Sequence, residues 1–264
     1  MDRMKGIILA GGVGSRLNPL TKVASKQLLP VYDKPLVYYP LSTLMLANIR
    51  EILVIAAPNY IDSFRQLLNQ GHEFGVEINF KSQEIPAGIA ESLILGEKFL
   101  SGAKSALILG DNLFHGPGLG RRLEAFNNVH GAQIFGYHVQ DASPYGVATL
   151  NDKNLVTSLQ EKPTKSDSKI AIPGLYFFDE TASCRAKELT PSARGELEIL
   201  DLLRTYLNDG NLNLEMLPRG TAWFDSGTFE DLHEAGTYVK LMQERTGERV
   251  GDPIEIAKIR GWLT

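Results

Sequence analysis

The sequence has 264 residues, enough to bury a hydrophobic core, and α/β chains of this length often fold as one domain. Hydrophobic residues make up 43% of it and charged residues 22%, and no run of 18 apolar residues offers a membrane span. The net charge of −4 provides no general basic surface, so neither a membrane nor a nucleic acid is an expected partner.

The N-terminus and the cysteine content bear on location. Residues 1–5 lead directly into an apolar, strand-like segment without a small-residue cleavage site, so we expect no signal peptide. Cys184 is the one cysteine of the sequence and cannot form an internal disulfide. A reducing, cytoplasmic location is therefore expected.

In the first half of the chain, short apolar runs alternate with longer amphipathic ones, which is typical of a parallel sheet covered by helices. The predicted strands are 6–10, 52–57, 76–80 and 106–109. The predicted helices are 38–47, 61–69, 89–99 and 119–127. This alternation predicts an α/β fold.

The pattern changes from Gln133 onward. Strand-like segments at 134–139, 146–150 and 155–159 lie close together between turn-like pieces, which predicts an antiparallel excursion. Two further helices are predicted at 196–207 and 228–243, each with acidic residues in or near its first turn. We therefore expect a mixed, mostly parallel sheet flanked by helices.

A glycine-rich loop follows the first predicted strand. Gly12, Gly14 and Leu17 occupy the positions of a Gly-x-Gly-x-x-Gly dinucleotide fingerprint, but leucine replaces the third glycine. No Gly-Lys-Ser/Thr ends the loop, so it is not a Walker motif either. Both a dehydrogenase and a P-loop nucleotidase are disfavoured.

The same loop has the features of an anion-binding segment. Its free N–H groups can approach a phosphate chain or a base, and Arg16 and Lys26 supply countercharge. The alternative is that the glycines only form a tight turn while the cations face water. The combination of bare backbone and positive charge favours phosphate binding.

Seven separated segments carry a more specific signal: LAGGVGSRL at 9–17, SKQLLP at 25–30, YDKP at 32–35, LGDN at 109–112, EKP at 161–163, SARGELE at 192–198 and WFDSGT at 223–228. Together they resemble the sugar-nucleotide pyrophosphorylase family, and within it the glucose-1-phosphate thymidylyltransferases. The likeness extends over nearly the whole chain.

The resemblance implies one Rossmann-like nucleotidyltransferase domain, with a nucleotide-binding half at 1–115, a sugar-phosphate-binding half at 130–230 and C-terminal helices at 231–264. It implies transfer of a deoxythymidylyl group from dTTP to glucose 1-phosphate with release of pyrophosphate, for deoxysugar biosynthesis. It also implies small-molecule substrates as partners and a homo-oligomer.

The implied reaction joins two anions. Their repulsion is the main obstacle, so catalysis should consist of holding them in line and neutralising their charge. No covalent nucleophile is needed, and the five histidines show no metal-ligand spacing.

Two aspartates are candidate metal ligands. Asp111 follows the predicted strand 106–109, and Asp225 follows the strand-like residues 221–224. Two carboxylates could share one Mg²⁺, which also takes water and substrate phosphate oxygens. Considered singly, each aspartate is better explained as the cap of a following turn or helix; the resemblance implies that both are Mg²⁺ ligands.

The resemblance assigns the remaining site residues. The implied catalytic residues are Arg16, Lys26, Asp111, Lys162 and Asp225. The implied nucleotide-binding residues are Leu9, Gly11, Gly12, Gly14, Ser15, Arg16, Lys26, Gln27, Gln83, Pro86, Gly88 and Asp111. The implied sugar-phosphate-binding residues are Ile89, Leu109, Asn112, Tyr145, Gly146, Glu161, Lys162, Ile172 and Arg194.

Some assignments have ordinary alternatives. Glu161 and Lys162 could be a solvated pair, Ile172 could belong to the core, and Arg194 could be held by neighbouring acids. Ala87 stands where the family commonly has an acid, and the chain ends short of the C-terminal helical segment of long members, so base, hexose and regulation stay open. The alternative functions are a nucleotidyltransferase for another base or hexose and a non-catalytic sugar-nucleotide sensor.

Overall fold

In the computed structural model, which describes residues 3–12 and 14–263, the chain forms two units. The first unit comprises Lys5–Pro86, Ile108–Ala125 and Gly220–Thr264. The second unit comprises Ala87–Leu107 and Phe126–Arg219, with the N-terminal residues up to Met4. Val13, within the glycine-rich loop motif, lies outside the described residues.

Strands and helices alternate along the chain, with short 3-10 turns between them. The strands are β1 (Lys5–Ala10), β2 (Pro30–Val31), β3 (Lys34–Pro35), β4 (Glu51–Ala56), β5 (Glu77–Ser82), β6 (Ser105–Leu109), β7 (Asn112–His115), β8 (Ala132–His138), β9 (Gly146–Leu150), β10 (Val156–Glu161), β11 (Ile170–Ala171), β12 (Leu175–Phe178), β13 (Leu212–Met216) and β14 (Ala222–Asp225). The helices are α1 (Tyr38–Leu46), α2 (Ile61–Leu68), α3 (Glu91–Leu95), α4 (Glu97–Leu100), α5 (Leu119–Glu124), α6 (Ala182–Lys187), α7 (Ile199–Asn208), α8 (Phe229–Thr246) and α9 (Pro253–Ile259). The 3-10 turns are Ser15–Leu17, Leu20–Lys22, Lys26–Leu28, Pro58–Tyr60 and Asn69–Phe74.

The first unit contains a parallel sheet. Strands β1, β4 and β5 pair in parallel, with Ile8 opposite Val54 and Val54 opposite Phe80. Strand β4 is buried from Ile52 to Ala56, as expected for an apolar parallel strand that is covered on both faces. The carboxyl ends of these strands meet at one edge of the sheet, so the loops that follow them come together there.

An antiparallel pair in the first unit brings distant residues together. Strands β7 and β14 pair so that Asn112 lies opposite Asp225 and Phe114 lies opposite Trp223. Asp111 directly precedes β7. The register of this pair therefore places the two predicted metal ligands next to each other.

Helix α8 begins directly after β14 and is fixed at its start by a capping box. The Thr228 hydroxyl accepts a hydrogen bond from the Asp231 backbone N–H, and the Asp231 carboxylate accepts one from the Thr228 backbone N–H. Buried Ala235 and Val239 then pack in a core cluster with Tyr39. The cap fixes where the chain leaves β14, and the cluster fixes the helix against the rest of the unit.

The second unit is mainly antiparallel. Its strands lie in the order β10-β9-β11-β8-β12, and β13 pairs in parallel with β8. Helix α7 is amphipathic. Its buried residues are Ile199, Leu200, Leu202, Leu203 and Tyr206.

The predicted fold class, an α/β fold with a mixed, mostly parallel sheet flanked by helices and an antiparallel excursion, is confirmed. The four strands predicted in the first half of the chain correspond to β1, β4, β5 and β6, and the three predicted in the excursion correspond to β8, β9 and β10. Helices 38–47, 61–69 and 228–243 are present as α1, α2 and α8.

Three predicted helices differ from the structure. The helix predicted at 89–99 is divided into α3 and α4 at Gly96, and the one predicted at 119–127 ends at Glu124. The one predicted at 196–207 begins only at Ile199, because the Leu197 carbonyl accepts from the Ala90 N–H and the Leu197 N–H donates to the Ala87 carbonyl, so that the backbone at Leu197 is paired outside the helix. Amphipathic spacing cannot reveal such a backbone contact.

A buried lysine fastens the β2–β3 hairpin to α8. The Lys34 ammonium donates to Asp33 Oδ1 at 2.5 Å, to the Val250 carbonyl at 3.1 Å and to Gln243 Oε1 at 3.3 Å, and its side chain is 7% exposed. It also lies 5.2 Å from the centre of the Tyr39 ring. All three ammonium protons therefore have acceptors.

We predict that Lys34→Ala lowers the free energy of unfolding by about 2–4 kcal/mol, because it leaves a partly buried carboxylate and a carbonyl without their donor. Lys240→Ala is the matched control, since Lys240 forms an exposed pair with Glu244 at 3.9 Å and should cost less than about 0.5 kcal/mol. Urea unfolding followed by circular dichroism measures both. Equal midpoints for the two variants would contradict the role given to Lys34.

Candidate active site

The most buried charge pair of the candidate site joins Lys26 to Asp111. The Lys26 ammonium donates to Asp111 Oδ2 at 2.6 Å, and the two side chains are 7% and 22% exposed. Lys26 opens a 3-10 turn, and Asp111 lies just after β6. The bond from the Gly110 N–H to the Leu9 carbonyl at 2.8 Å fixes the backbone directly before Asp111.

Asp225 adds a second carboxylate to this pair. Burial first, and then the neighbouring Asp111 charge, raise the pKa of Asp225 to about 6, although Lys26 and Arg16 act in the opposite direction. The Ser226 backbone N–H donates to the Asp111 carbonyl at 3.2 Å, which holds the two aspartates side by side. The site therefore contains two close carboxylates whose charge the lysine only partly compensates.

Asp111 and Asp225 fit a hard divalent cation. The bond from the Ser226 N–H to the Asp111 carbonyl holds the two carboxylates side by side, and carboxylate oxygens are the ligands that hard cations prefer. Within 3–12 and 14–263, no three His, Cys, Asp or Glu side chains form a metal-binding group. A cation at the two carboxylates would therefore need other ligands as well, such as water or substrate oxygens, which is how Mg²⁺ is commonly held.

Asn112 lies directly beside this pair. Its Nδ2 donates to Asp111 Oδ1 at 2.8 Å, and its Oδ1 accepts from Trp223 Nε1 at 2.7 Å, while the side chain is buried. The resemblance assigns Asn112 to the sugar phosphate, whereas in the structure its side chain is bonded to Asp111.

Arg16 lies near Asp225, with its guanidinium over Gly227. A Cβ atom added to Gly227 would lie 3.0 Å from one terminal guanidinium nitrogen of Arg16 and 3.3 Å from its Cζ. Arg16 itself is exposed. Gly227 thus provides the surface against which the guanidinium rests.

The glycines of the glycine-rich loop have different structural roles. Gly14 is left-handed, with a φ of 63°, and begins the 3-10 turn that carries Ser15 and Arg16. A Cβ on Gly12 would meet nothing within 4 Å, and both Gly12 and Ser15 are exposed. Gly14 is required by the backbone of the loop, whereas Gly12 leaves space open above it.

Two glutamines line the same region. A Cβ on Gly11 would lie 2.0 Å from Gln83 Oε1, so the bare backbone at Gly11 is what admits this buried amide. Gln27 is buried as well, and its Oε1 accepts from the Ser25 hydroxyl at 2.6 Å. With its oxygen committed to Ser25, Gln27 offers its NH₂ group to a partner.

In the second unit, five of the predicted sugar-site residues form one cluster. Gly146 lies opposite Glu161 in the β9–β10 pair, and the Ile172 N–H donates to the Gly146 carbonyl at 2.8 Å. The Lys162 N–H donates to the Tyr145 carbonyl at 3.0 Å, and Lys162 has a left-handed φ of 40°. The structure therefore brings these five residues together.

Arg194 lies at the edge of this cluster among carboxylates. Its guanidinium is bonded to both oxygens of Glu198 at 2.9 and 3.0 Å, and it lies 3.6 Å from Glu196 and 4.0 Å from Glu161. These acids raise the pKa of Arg194, chiefly through the hydrogen bond with Glu198. An open pocket of about 440 Å³ is lined by residues that include Glu161, Lys162 and Arg194.

Pro86, Gly88 and Ile89, which the resemblance assigns to the site, have different surroundings. Gly88, with a φ of 103°, approaches the Leu197 backbone so closely that a Cβ would lie 2.3 Å from its carbonyl oxygen. Ile89 accepts the Ser92 hydroxyl at 2.7 Å through its carbonyl, and Pro86 is exposed. The close approach that requires a glycine at 88 is thus to the protein's own backbone.

Sequence reasoning did not identify Ser25, Trp223 or Gly227 as site residues. All three stand inside segments that it used, but their role depends on partners that are distant in sequence or on amide orientation. Leu109 ends β6 directly before the Gly110 and Asp111 pair. None of the helices within 3–12 and 14–263 combines the length and the apolarity that crossing a bilayer requires.

Comparison with known proteins identifies close relatives. Residues 5–240 match the family described as nucleotidyl transferase. Glucose-1-phosphate thymidylyltransferase of Mycolicibacterium smegmatis is 50% identical over 260 residues, which cover 98% of this chain and 90% of that protein.

Two crystal structures resemble the fold. A Bacillus anthracis protein described as a glucose-1-phosphate thymidylyltransferase, in complex with sucrose, aligns with a TM-score of 0.82 and 37% identity over 89% of this chain and 94% of that one. A UDP-glucose pyrophosphorylase complexed with UDP-glucose aligns with a TM-score of 0.78 over 90% of this chain and 98% of that one. At 21% identity the second likeness concerns the fold alone.

We predict that Gly227→Ala weakens the binding of a nucleoside triphosphate about fivefold, because the new methyl group displaces the Arg16 guanidinium and weakens a charge-assisted contact. Isothermal titration calorimetry measures the dissociation constant. Gly236→Ala is the control, since its Cβ would lie at an ordinary 3.5 Å from the Tyr32 nitrogen. Unchanged affinity in Gly227→Ala would show that Arg16 does not contact the phosphates.

Proposed function

Because the chain belongs to the nucleotidyl transferase family, we propose that it transfers a deoxythymidylyl group from dTTP to α-D-glucose 1-phosphate. A phosphate oxygen of the sugar phosphate forms a bond to the α-phosphorus of dTTP. The bond between the α-phosphorus and the oxygen bridging to the β-phosphate breaks, and pyrophosphate leaves with that electron pair. The products are dTDP-glucose and pyrophosphate.

The observation that carries this proposal is the charge cluster of the first unit. Lys26 is buried against Asp111, while the exposed Arg16 is close enough to Asp225 to lower its pKa. Two cations beside a pair of carboxylates that can hold a metal suit the binding of a triphosphate. We assign nucleotide binding to the first unit on this basis.

We propose that the metal is Mg²⁺ and that Asp111 and Asp225 hold it. When bound, it would neutralise phosphate charge and increase the electrophilicity of the α-phosphorus. The chain's own residues orient the reactants: Arg16 and Lys26 bind phosphate oxygens, so that the leaving pyrophosphate lies opposite the attacking oxygen.

The second unit would bind the sugar phosphate. Lys162 and Arg194 supply positive charge, and Glu161 accepts hydrogen bonds from sugar hydroxyls, while Gly146 leaves room for the ring. Ile172 is buried and forms the apolar wall. The cluster in which the structure gathers these residues supports the assignment.

Base recognition would use Gln27 and Gln83. With its oxygen bonded to Ser25, Gln27 can donate to a carbonyl of a pyrimidine. A cytoplasmic location, suggested by a sequence with one cysteine, and a homo-oligomer complete the proposal.

A matrix of nucleotides against sugar 1-phosphates tests the substrates. We expect the highest kcat/KM for pyrophosphate release with dTTP and glucose 1-phosphate, because a relative named for these two substrates is 50% identical over 98% of this chain. A higher value with another base or hexose would identify a related transferase. Binding of a sugar nucleotide without any release of pyrophosphate would identify a sensor.

Replacement of a proposed metal ligand tests the mechanism. We predict that Asp225→Asn lowers kcat by about 100-fold or more, since it removes a charged ligand of the cation that stabilises the transition state. Asp62→Asn is the control, because Asp62 is 89% exposed on α2, where it pairs with Arg65 at 2.9 Å. An unchanged kcat in Asp225→Asn would refute the role assigned to it.

A further inference from the structure

A chain of hydrogen bonds leads from a tryptophan to Asp111. Trp223 Nε1 lies 2.7 Å from Asn112 Oδ1, and Asn112 Nδ2 lies 2.8 Å from Asp111 Oδ1. The other carboxylate oxygen, Oδ2, accepts from Lys26 at 2.6 Å. Both oxygens of Asp111 are thus bonded to fixed donors.

The β7–β14 pair explains why these hydrogen bonds form. Asn112 lies directly opposite Asp225, and Trp223 is two residues before Asp225 on the same face of β14. Trp223 and Asn112 are therefore diagonal neighbours across the two strands, within reach of a large side chain. The register that brings Asp225 to Asp111 also brings the indole to Asn112.

The donor and acceptor of each hydrogen bond in this series follow from the chemistry of an indole. The indole N–H can only donate, so the amide atom that faces Trp223 must be the oxygen of Asn112. The NH₂ group of Asn112 must then face Asp111, where it meets an ionised carboxylate as acceptor. Trp223 thereby removes the ambiguity that an amide side chain otherwise has between its two orientations.

We propose that Trp223 is a positioning residue that acts through Asn112 to fix the orientation of the Asp111 carboxylate for a divalent cation. Without the indole N–H, the Asn112 amide oxygen loses its donor, and the side chain can leave the position in which its NH₂ group reaches Asp111 Oδ1. The Asp111 carboxylate then loses one of the two donors that hold its orientation, and it would meet a cation in a less favourable orientation. The inference rests on the proposed function in one respect, which is the binding of a cation at Asp111.

Three variants test it. Trp223→Phe keeps an aromatic ring but removes the N–H donor, and Asn112→Ala removes the link. Trp262→Phe is the matched control, because Trp262 is the other of the two tryptophans in the sequence and lies against Arg50, 5.1 Å from its guanidinium carbon. Circular dichroism first shows which variants fold.

The first measurement is binding of Mn²⁺ to the protein alone, followed through the electron paramagnetic resonance signal of the free ion. We expect Trp223→Phe and Asn112→Ala to raise the dissociation constant about tenfold, the usual effect of losing a residue that orients a metal ligand. We expect the double variant to bind no more weakly than Asn112→Ala, because both changes break the same chain. Trp262→Phe should bind as the unchanged protein does.

The second measurement is the Mg²⁺ concentration that gives half-maximal pyrophosphate release. We expect Trp223→Phe to raise it about tenfold while kcat at saturating Mg²⁺ changes less than about threefold, a split that a general loss of packing would not produce.

Equal Mn²⁺ affinity in Trp223→Phe and Trp262→Phe would overturn the proposal, as would effects of Trp223→Phe and Asn112→Ala that multiply. If Trp223→Phe does not fold, Asn112→Ala decides alone, and an unchanged Mn²⁺ affinity in it would have the same consequence. An unmodified protein that binds Mn²⁺ but releases no pyrophosphate would contradict the proposed function, and the Mn²⁺ comparison would still test the role of Trp223.

Discussion

The candidate site depends on two neighbouring carboxylates that are partly buried. Asp111 and Asp225 repel each other, and burial makes the repulsion stronger, as the raised pKa of Asp225 shows. Lys26 relieves part of it, and the donors on Asp111 hold the carboxylate in place. The arrangement is stable only with positive charge nearby, and this is also what makes it suitable for a cation and a triphosphate.

The fold could be predicted where the pattern is local. Long apolar runs such as Ile52–Ala56 predict strands, and amphipathic spacing predicts helices such as α2, which buries Ile61, Phe64 and Leu68. Strand β7 was not predicted, because its four residues follow Asp111 too closely for a periodic signal, and its partner β14 is far away in sequence. Short strands of this kind are fixed by pairing, which sequence periodicity does not report.

The candidate site, too, could be predicted from the sequence only in part. The glycine-rich loop and the carboxyl end of β6 could be located from the residues, and the resemblance supplied Asp225 and Lys162. The support of Asp111 by Asn112, and of Arg16 by Gly227, could not be predicted. Both depend on the register of β7 and β14 and on the turn after Asp225, which are properties of the folded chain.

The two units differ in how far their charges are fixed before any substrate is present. The Lys26–Asp111 pair is buried, and separating it without replacing either partner would leave a buried charge uncompensated, which is costly. The Arg194–Glu198 pair has a half-exposed guanidinium, and water can replace either partner at little cost. Under the proposed function, a phosphate group would therefore take Arg194 from Glu198 readily. The metal and the phosphates proposed for the first unit would instead have to fit around groups that are already held, so that unit would set most of the geometry of the reaction.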